Sequence, residues 1–324
     1  MRGWMTPRMR SKTDFAVSLA VLTLVAALPL FVGNEYWRGV LIVSMYFAML
    51  AAAWNLLAGY TGQFSLAPAT FGMLGAYTTG LLSYHVGASP LIGIPAAVLV
   101  AGLIGFALGR IVLRLTGPYL ALTTLSFAEI FRLVIYNSIE ITRGDLGLNV
   151  PGLLDDRLAY YYLMLAVLTA VQVALFLLLR SPAGLYLRAI RDDEIAAVSR
   201  GVKVVIWKTN AFTISAAISG LAGALYAHFA QFVSPELGLI GQTGIIISMA
   251  VIGGLGTLIG PIVGAFLVYV ASEFLRDFGG FQLIVFALLV IIFGRFFREG
   301  LWGMFYGALE RSTRRTRPAA APGR

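Results

Sequence analysis

The sequence predicts an all-α fold: a polytopic bundle of about eight to ten transmembrane helices, with a broken or re-entrant segment near residues 253–256. Three observations lead there. First, 59% of the 324 residues are hydrophobic and 12% are charged, with a mean hydropathy of +0.85. A water-soluble domain of this length carries about 25% charged residues, so much of this exterior faces lipid. Second, ten stretches approach the roughly 20 apolar residues that a hydrocarbon core of about 30 Å demands. Third, lysine and arginine are grouped, and most groups fall on alternate connections between those stretches.

In chain order the stretches are Phe15–Val32, Gly39–Ala58, Phe64–Ser83, Leu91–Gly109, Pro118–Asn137, Ala159–Leu179, Thr209–Gln231, Gln242–Leu255, Leu258–Leu275 and Phe281–Phe297. The first is long for the apolar part of a cleaved leader, and no small-x-small site follows it in Val32-Gly33-Asn34-Glu35-Tyr36-Trp37. It reads as a retained anchor with Tyr36 and Trp37 at the interface. Gln242–Leu255 and Leu258–Leu275 flank Gly253-Gly254-Leu255-Gly256, and are two short spans or one interrupted element. The chain is therefore expected to divide into a basic N-terminus (1–14), a membrane domain (15–297) and a basic tail (298–324).

Positive charge marks the cytoplasmic side of a membrane protein. With ten spans and the N-terminus inside, four inside segments carry every lysine and arginine except Arg38, Arg132, Arg143, Arg157 and Arg276. The acids Glu35, Glu140, Asp145, Asp155, Asp156 and Glu236 fall outside. The net charge of +9 is thus a topology signal with both termini cytoplasmic, and no nucleic-acid partner is expected. Cysteine is absent, which excludes disulfides, thiol chemistry and cysteine-ligated metals.

Two connections are long. Residues 139–158, outside, hold Gly144, Gly147, Pro151 and Gly152 with Asp and Asn among them, which is turn chemistry. They form either a plain connector or a docking surface. Residues 180–208, inside, place Leu187, Ile190, Ile195 and Val198 near helical spacing, with Arg188, Arg191, Asp192, Asp193 and Glu194 on the other face. One short amphipathic helix is expected between Pro182-Ala183-Gly184 and Gly201. Its acidic cluster suits a protein partner better than the anionic inner leaflet. Small residues four apart (Gly105/Gly109, Ala216/Gly220, Ser219/Gly223, Gly256/Gly260, Gly260/Gly264) let helix backbones approach closely. Pro68, Pro95, Pro118 and Pro261 start or interrupt apolar stretches, a feature of helices that line cavities.

Ionisable groups within the spans are few. Glu129 and Arg132 share one helix face and are expected to neutralise each other as an ion pair within the membrane. His228 stands near an outer end and Glu273 with Arg276 near another. So sparse a set disfavours a proton-driven carrier, and a self-sufficient channel is a further, weaker alternative. No His/Glu metal cluster, Gly-x-Ser-x-Gly elbow or paired carboxylates support an enzyme, so catalytic residues, metal and bound cofactor are all expected to be absent. The Gly-x-x-x-x-Gly-Lys-Ser/Thr phosphate cradle is missing too, so energy for active transport must enter from another polypeptide.

Four stretches carry a resemblance. GYTGQFSLAPATFGMLGAY (59–77), GPYLALTTLSFAEIFRLVIYN (117–137) with TRGDLGLNVPG (142–152), SPAGLYLRAIRDDEIAAVSRGVKVVIWKTNAFTISAAISGLAGALYA (181–227) and SMAVIGGLGTLIGPIVGA (248–265) are similar to the branched-chain amino acid ABC transporter permeases, to the LivM-type subunit in particular. The resemblance runs from about residue 41 to 297. It implies the ABC importer permease fold in a bacterial inner membrane. It also implies a second similar permease, two cytoplasmic ATPases that bind ATP–Mg, a periplasmic binding protein and leucine, isoleucine or valine as cargo. Related permeases for urea, short amides, other amino acids or aromatic acids are the alternative. In such permeases residues 180–208 form the ATPase-coupling loop, whose motif is broadly Glu-Ala-Ala-x-x-x-Gly. Here Ile195, Ala196, Ala197 and Gly201 hold its positions, with Glu194 one residue early and Asp192 and Asp193 beside it. Candidate path residues flank the glycine-rich breaks: Gln63, Ser65, Thr123 and Thr124. Each of these equally suits a helix–helix hydrogen bond.

Overall fold

Proline, glycine and side-chain caps decide where the apolar runs become helices. The structure, a computed structural model, describes residues 33–112, 115 and 117–276, with Thr23, residues 25–29, Leu288 and residues 300–301. Helix α1 (Glu35–Ala58) opens on Asn34, whose side chain accepts from Tyr36 N at 2.9 Å, and Glu35 complements the helix dipole. α2 (Pro68–Val86) starts on a proline and stops at Gly87, whose φ of 66° is left-handed. α3 (Pro90–Val112) and α4 (Pro118–Asn137) follow, the latter beginning and ending where the sequence places it. After α5 (Ile139–Thr142), a 3₁₀ turn (Gly144–Leu146) and strand β1 (Leu148–Asn149), Asp156 caps α6 (Arg157–Arg180). Then come α7 (Pro182–Asp192), α8 (Glu194–Ser199), α9 (Val204–Ala230), strand β2 (Phe232–Val233), a second 3₁₀ turn (Pro235–Gly238), α10 (Ile240–Gly253) and α11 (Gly260–Phe274).

Of the ten expected stretches, eight correspond to described helices, α1–α4, α6 and α9–α11. Most of the first stretch, apart from Thr23 and residues 25–29, and all of the last but Leu288 fall outside the described residues, as do nearly all of the basic termini. Helices α1, α3, α4, α6 and α9 are each long and apolar enough to cross a membrane. α10 and α11, at 14 and 15 residues, extend only about 21–22 Å. They are two short helices joined by residues 254–259. α11 runs antiparallel along α1, with Thr257 at the level of Asn55 and Phe274 against Trp37 (ring centroids 4.9 Å apart).

At the centre, α9 is clasped between α2 and α3 because its face is built of small residues. The backbone of Gly220 stands where a Cβ on Gly75 would be, and Gly72 blocks one on Gly223 in the same way. On the opposite side Ala101 packs on Gly220 and Ala216 on Gly105. Lipid supplies no hydrophobic drive between helices, so contact this close is what holds them. α1 is almost wholly enclosed, whereas α3, α4 and α6 are peripheral.

The bundle has a basic and an acidic end. At the acidic end β1 pairs antiparallel with β2, Leu148 opposite Val233 and Asn149 opposite Phe232. The buried His228 ring secures the same end: Nδ1 donates to Pro151 O at 2.8 Å, and Nε2 lies 2.7 Å from Thr79 Oγ1. The 139–158 connection is therefore an ordered cap of short elements in addition to its turns. At the basic end lie Arg110, Arg180, the α7–α8 segment, the end of α1 and the 254–259 turn.

Candidate coupling segment and membrane path

The single amphipathic helix expected in 180–208 is two helices. Pro182 opens α7 instead of preceding it, and Asp193 is extended (φ −160°, ψ 109°) between α7 and α8. The break has a local cause. Asp193 Oδ1 accepts from Ala196 N at 3.0 Å, so the side chain caps α8 and the backbone cannot remain helical. The break also splits the expected apolar face. Leu187 and Ile190 are buried against the bundle, while Ile195 and Val198 are 80% and 57% exposed. Ala197 turns inward with Ile190 and Val204, and Ala196 outward. The outward surface of α8, formed by Ile195, Val198 and Ser199, is open to its surroundings.

Gly201 ends α8 in the left-handed conformation, φ 82°. Its N–H donates to Val198 O (2.9 Å) and that of Val202 to Ala197 O (3.1 Å), the paired bonds of a Schellman cap. Nothing lies within 4 Å of where its side chain would start, so the glycine answers to backbone conformation alone.

Each acid of the cluster is engaged within the chain. Asp192 Oδ1 is held by Arg191 at 3.2 Å, Asp193 caps α8, and Glu194 Oε2 accepts from Lys208 Nζ at 2.6 Å. The Lys208 side chain is only 8% exposed, which makes its pairing with Glu194 more than a surface contact. Arg188 closes the end of α6, donating from Nη2 to Leu179 O (2.6 Å) and from Nε to Gly184 O (3.1 Å). Arg191 Nη1 donates to Gly59 O at 2.7 Å. The segment is thereby fastened to α6, α9 and the end of α1, and the charge cluster is legible from sequence while its pairing is not.

The path candidates do not all converge. Between α1 and α2 residues 59–61 form a turn and residues 62–67 are irregular, with Gly62 left-handed (φ 71°), and the segment passes Thr124: Leu66 N donates to Thr124 Oγ1 at 2.9 Å. Ser65 O accepts from Trp54 Nε1 (2.8 Å), and Ser65 Oγ from Ala67 N (3.3 Å). Gln63 is 1% exposed, and neither amide atom has a hydrogen-bond partner. Gln63, Ser65 and Thr124 thus belong to one non-helical segment and the helix wall beside it. Thr123 points away from them and donates to Tyr119 O at 2.8 Å.

Glu129 and Arg132 form the expected pair, bidentate at 2.5 and 3.0 Å within α4. It does not bridge two helices, although the Arg132 stem lies beside Gly238 of the second 3₁₀ turn. The Glu129 side chain is 46% exposed. α4 turns Tyr119, Ser126, Glu129 and Asn137 outward among Leu122, Ile130, Leu133 and Val134, where α3 presents Leu91, Ile92, Leu99, Leu103 and Phe106. A carboxylate is costly against hydrocarbon, so α3 is built to meet lipid, whereas the outward face of α4 mixes apolar residues with a half-exposed, Arg132-paired Glu129. Among the described residues no cluster of His, Asp or Glu is arranged to hold a metal ion.

The family described as "Branched-chain amino acid transport system / permease component" matches residues 37–294. The high-affinity branched-chain amino acid transport system permease protein LivM of Escherichia coli (strain K12) is 34% identical over 318 residues, 88% of this chain and 74% of that protein. LivM of Salmonella typhimurium is 33% identical over the same shares, and its LivH is 24% identical over 80% of this chain and 93% of that protein. No solved structure gives a significant match. The family thus spans every helix from α1 to α11 except the first two residues of α1, and relatives above 30% identity cover most of both chains. By these criteria the chain belongs to the branched-chain amino acid transport system permease components, multi-pass proteins of the membrane.

Proposed function

We propose that this chain is the membrane-spanning permease subunit of an ATP-driven importer, moving leucine, isoleucine and valine delivered by a periplasmic binding protein. The observation that carries the proposal is α8. It is a short helix with Ile195 and Val198 exposed, capped at both ends, and fastened to the bundle through Glu194 and Lys208. Such a knob seats in a groove of a cytoplasmic partner and transmits that partner's movement without bending. ATP–Mg belongs to two ATPase subunits on that side, and this chain has no hydrolytic part. The basic end, with both termini, faces the cytoplasm of a bacterial inner membrane.

A second, similar permease covers the outward face of α4 around Ser126, Glu129 and Asn137 and encloses the path between the two chains. Residues 60–67 and α4 supply this chain's share of its wall, with Gln63, Ser65 and Thr124 as the polar positions on one side and Thr123 on the side of α4 that faces the second permease. The similarity to both LivM and LivH supports a two-permease assembly.

The test assembles the chain with a LivH-like permease, the ATPases and the binding protein in proteoliposomes. ATP-dependent uptake of labelled leucine is expected, competed by valine and isoleucine but not by urea or phenylalanine. Uptake by this polypeptide alone, or uptake indifferent to ATP, overturns the proposal. Competition by urea alone redirects it to another cargo.

A further inference from the structure

Building on the import reading above, we infer that Arg191 is a positioning residue that carries displacement of the coupling segment to the non-helical backbone at Gly59–Ala67. Three elements that are distant in sequence meet at its guanidinium. Nη1 donates to Gly59 O at 2.7 Å, while Nε and Nη2 lie 3.3 and 3.2 Å from Asp192 Oδ1. The 254–259 turn closes the third side, because a Cβ on Gly256 would stand 3.3 Å from Nη1. A Cβ on Gly62 would likewise stand 3.3 Å from Arg191 Cγ. Gly59 and Gly256 are themselves in close contact, and the Asn55 amide spans them: it donates to Thr257 O and accepts from Gly256 N, both at 2.8 Å.

The other cationic contacts of the segment end on helices. Arg188 binds carbonyls of α6 and α7, and Lys208 is itself part of α9. Helices resist local displacement, since each residue is held by its i to i−4 bonds. Arg191 instead grips the point where α1 gives way to a turn and irregular chain. Up to Gln63 that chain is tied back to α1, by Gly59 N to Asn55 O (2.8 Å), Thr61 N and Oγ1 to Leu57 O (3.1 and 2.6 Å) and Gln63 N to Leu57 O (3.1 Å); beyond it, Trp54 Nε1 holds Ser65 O and Leu66 N reaches Thr124 Oγ1. It also carries a cost that movement can relieve. The Gln63 amide is buried with both polar atoms unpaired, a penalty that falls when it meets water or a polar solute. A tug on Gly59 through Arg191 therefore acts on a segment that is bonded to the end of α1 and whose buried Gln63 amide gains from shifting.

The chain has no cysteine, so Gln63→Cys gives it a single thiol. In the complete reconstituted complex, maleimide labelling of this thiol is expected to change at least threefold on adding ATP. Arg191→Ala is expected to abolish that change and to lower leucine uptake per ATP hydrolysed at least tenfold, with the ATPases still bound and hydrolysing. Arg191→Lys keeps the charge and one bond to Gly59 O but loses the two-pronged grip, so an intermediate loss is expected; it also serves as the test if the alanine variant misfolds. Normal uptake per ATP in both variants, ATP-dependent labelling that survives them, or loss of the ATPases from both overturns the inference. Absence of ATP-dependent uptake in the unsubstituted complex instead overturns the import reading, and the two failures are distinct.

Discussion

Gly201 and Glu194 show how single residues set the shape of the coupling segment. At Gly201 the surrounding space is open but φ is 82°, so a side chain is opposed by the backbone and not by neighbours. Gly201→Val is expected to cost about 1–2 kcal/mol locally and to lower ATP-driven uptake while the bundle melts at nearly the same temperature. Gly201→Asn, which tolerates the left-handed region, is expected to retain uptake. Equal behaviour of the two variants would show that conformation is not the constraint. Glu194→Gln leaves the Lys208 ammonium, 8% exposed, without its carboxylate. A loss of about 1–3 kcal/mol should appear as faster hydrogen exchange across residues 194–201, with little change in α9 beyond its first turn.

Among the elements, α8 joins opposite demands in six residues. Ala197 faces Ile190 and Val204, and Ile195 and Val198 face outward. Ile195→Asp with Val198→Asp is expected to leave folding intact and to abolish co-purification of the ATPases. The same pair of changes at Leu99 and Leu103, on the outward face of α3, is expected to impair membrane insertion instead. Retention of the ATPases by the α8 variant would remove the element from the coupling role. α2 and α9 show a different economy: glycine faces glycine, and backbone contact replaces the side-chain packing on which α1 relies.

For the whole molecule the main consequence is polarity. The basic end gathers the coupling segment and the acidic end the β1–β2 cap. Because the chain is free of cysteine, thiols introduced at Leu154 and Leu185, both exposed, report on the two ends. In intact cells a membrane-impermeant maleimide is expected to label Leu154→Cys and to spare Leu185→Cys. The reverse pattern would invert the orientation that the lysines and arginines imply.

Local information was enough for the helices and their ends. The span Pro118–Asn137 was legible to the residue because a proline starts it and turn residues follow, and the Gly201 stop because only a left-handed position ends a helix in that way. The small-residue spacing at Ala216, Gly220 and Gly223 foretold a tight interface without saying with which helix. Charge placement determined which end is basic. What only the tertiary structure decided is partnership across sequence distance. Three acids that read as a cluster suited to a protein partner prove to be bound to Arg191, Ala196 and Lys208, and Arg191 reaches Gly59 across 132 positions. Periodicity records which face a residue lies on, but a hydrogen bond depends on where the opposite element ends. That is set by packing the whole bundle, so the coupling segment's location was legible in the sequence and its attachments were not.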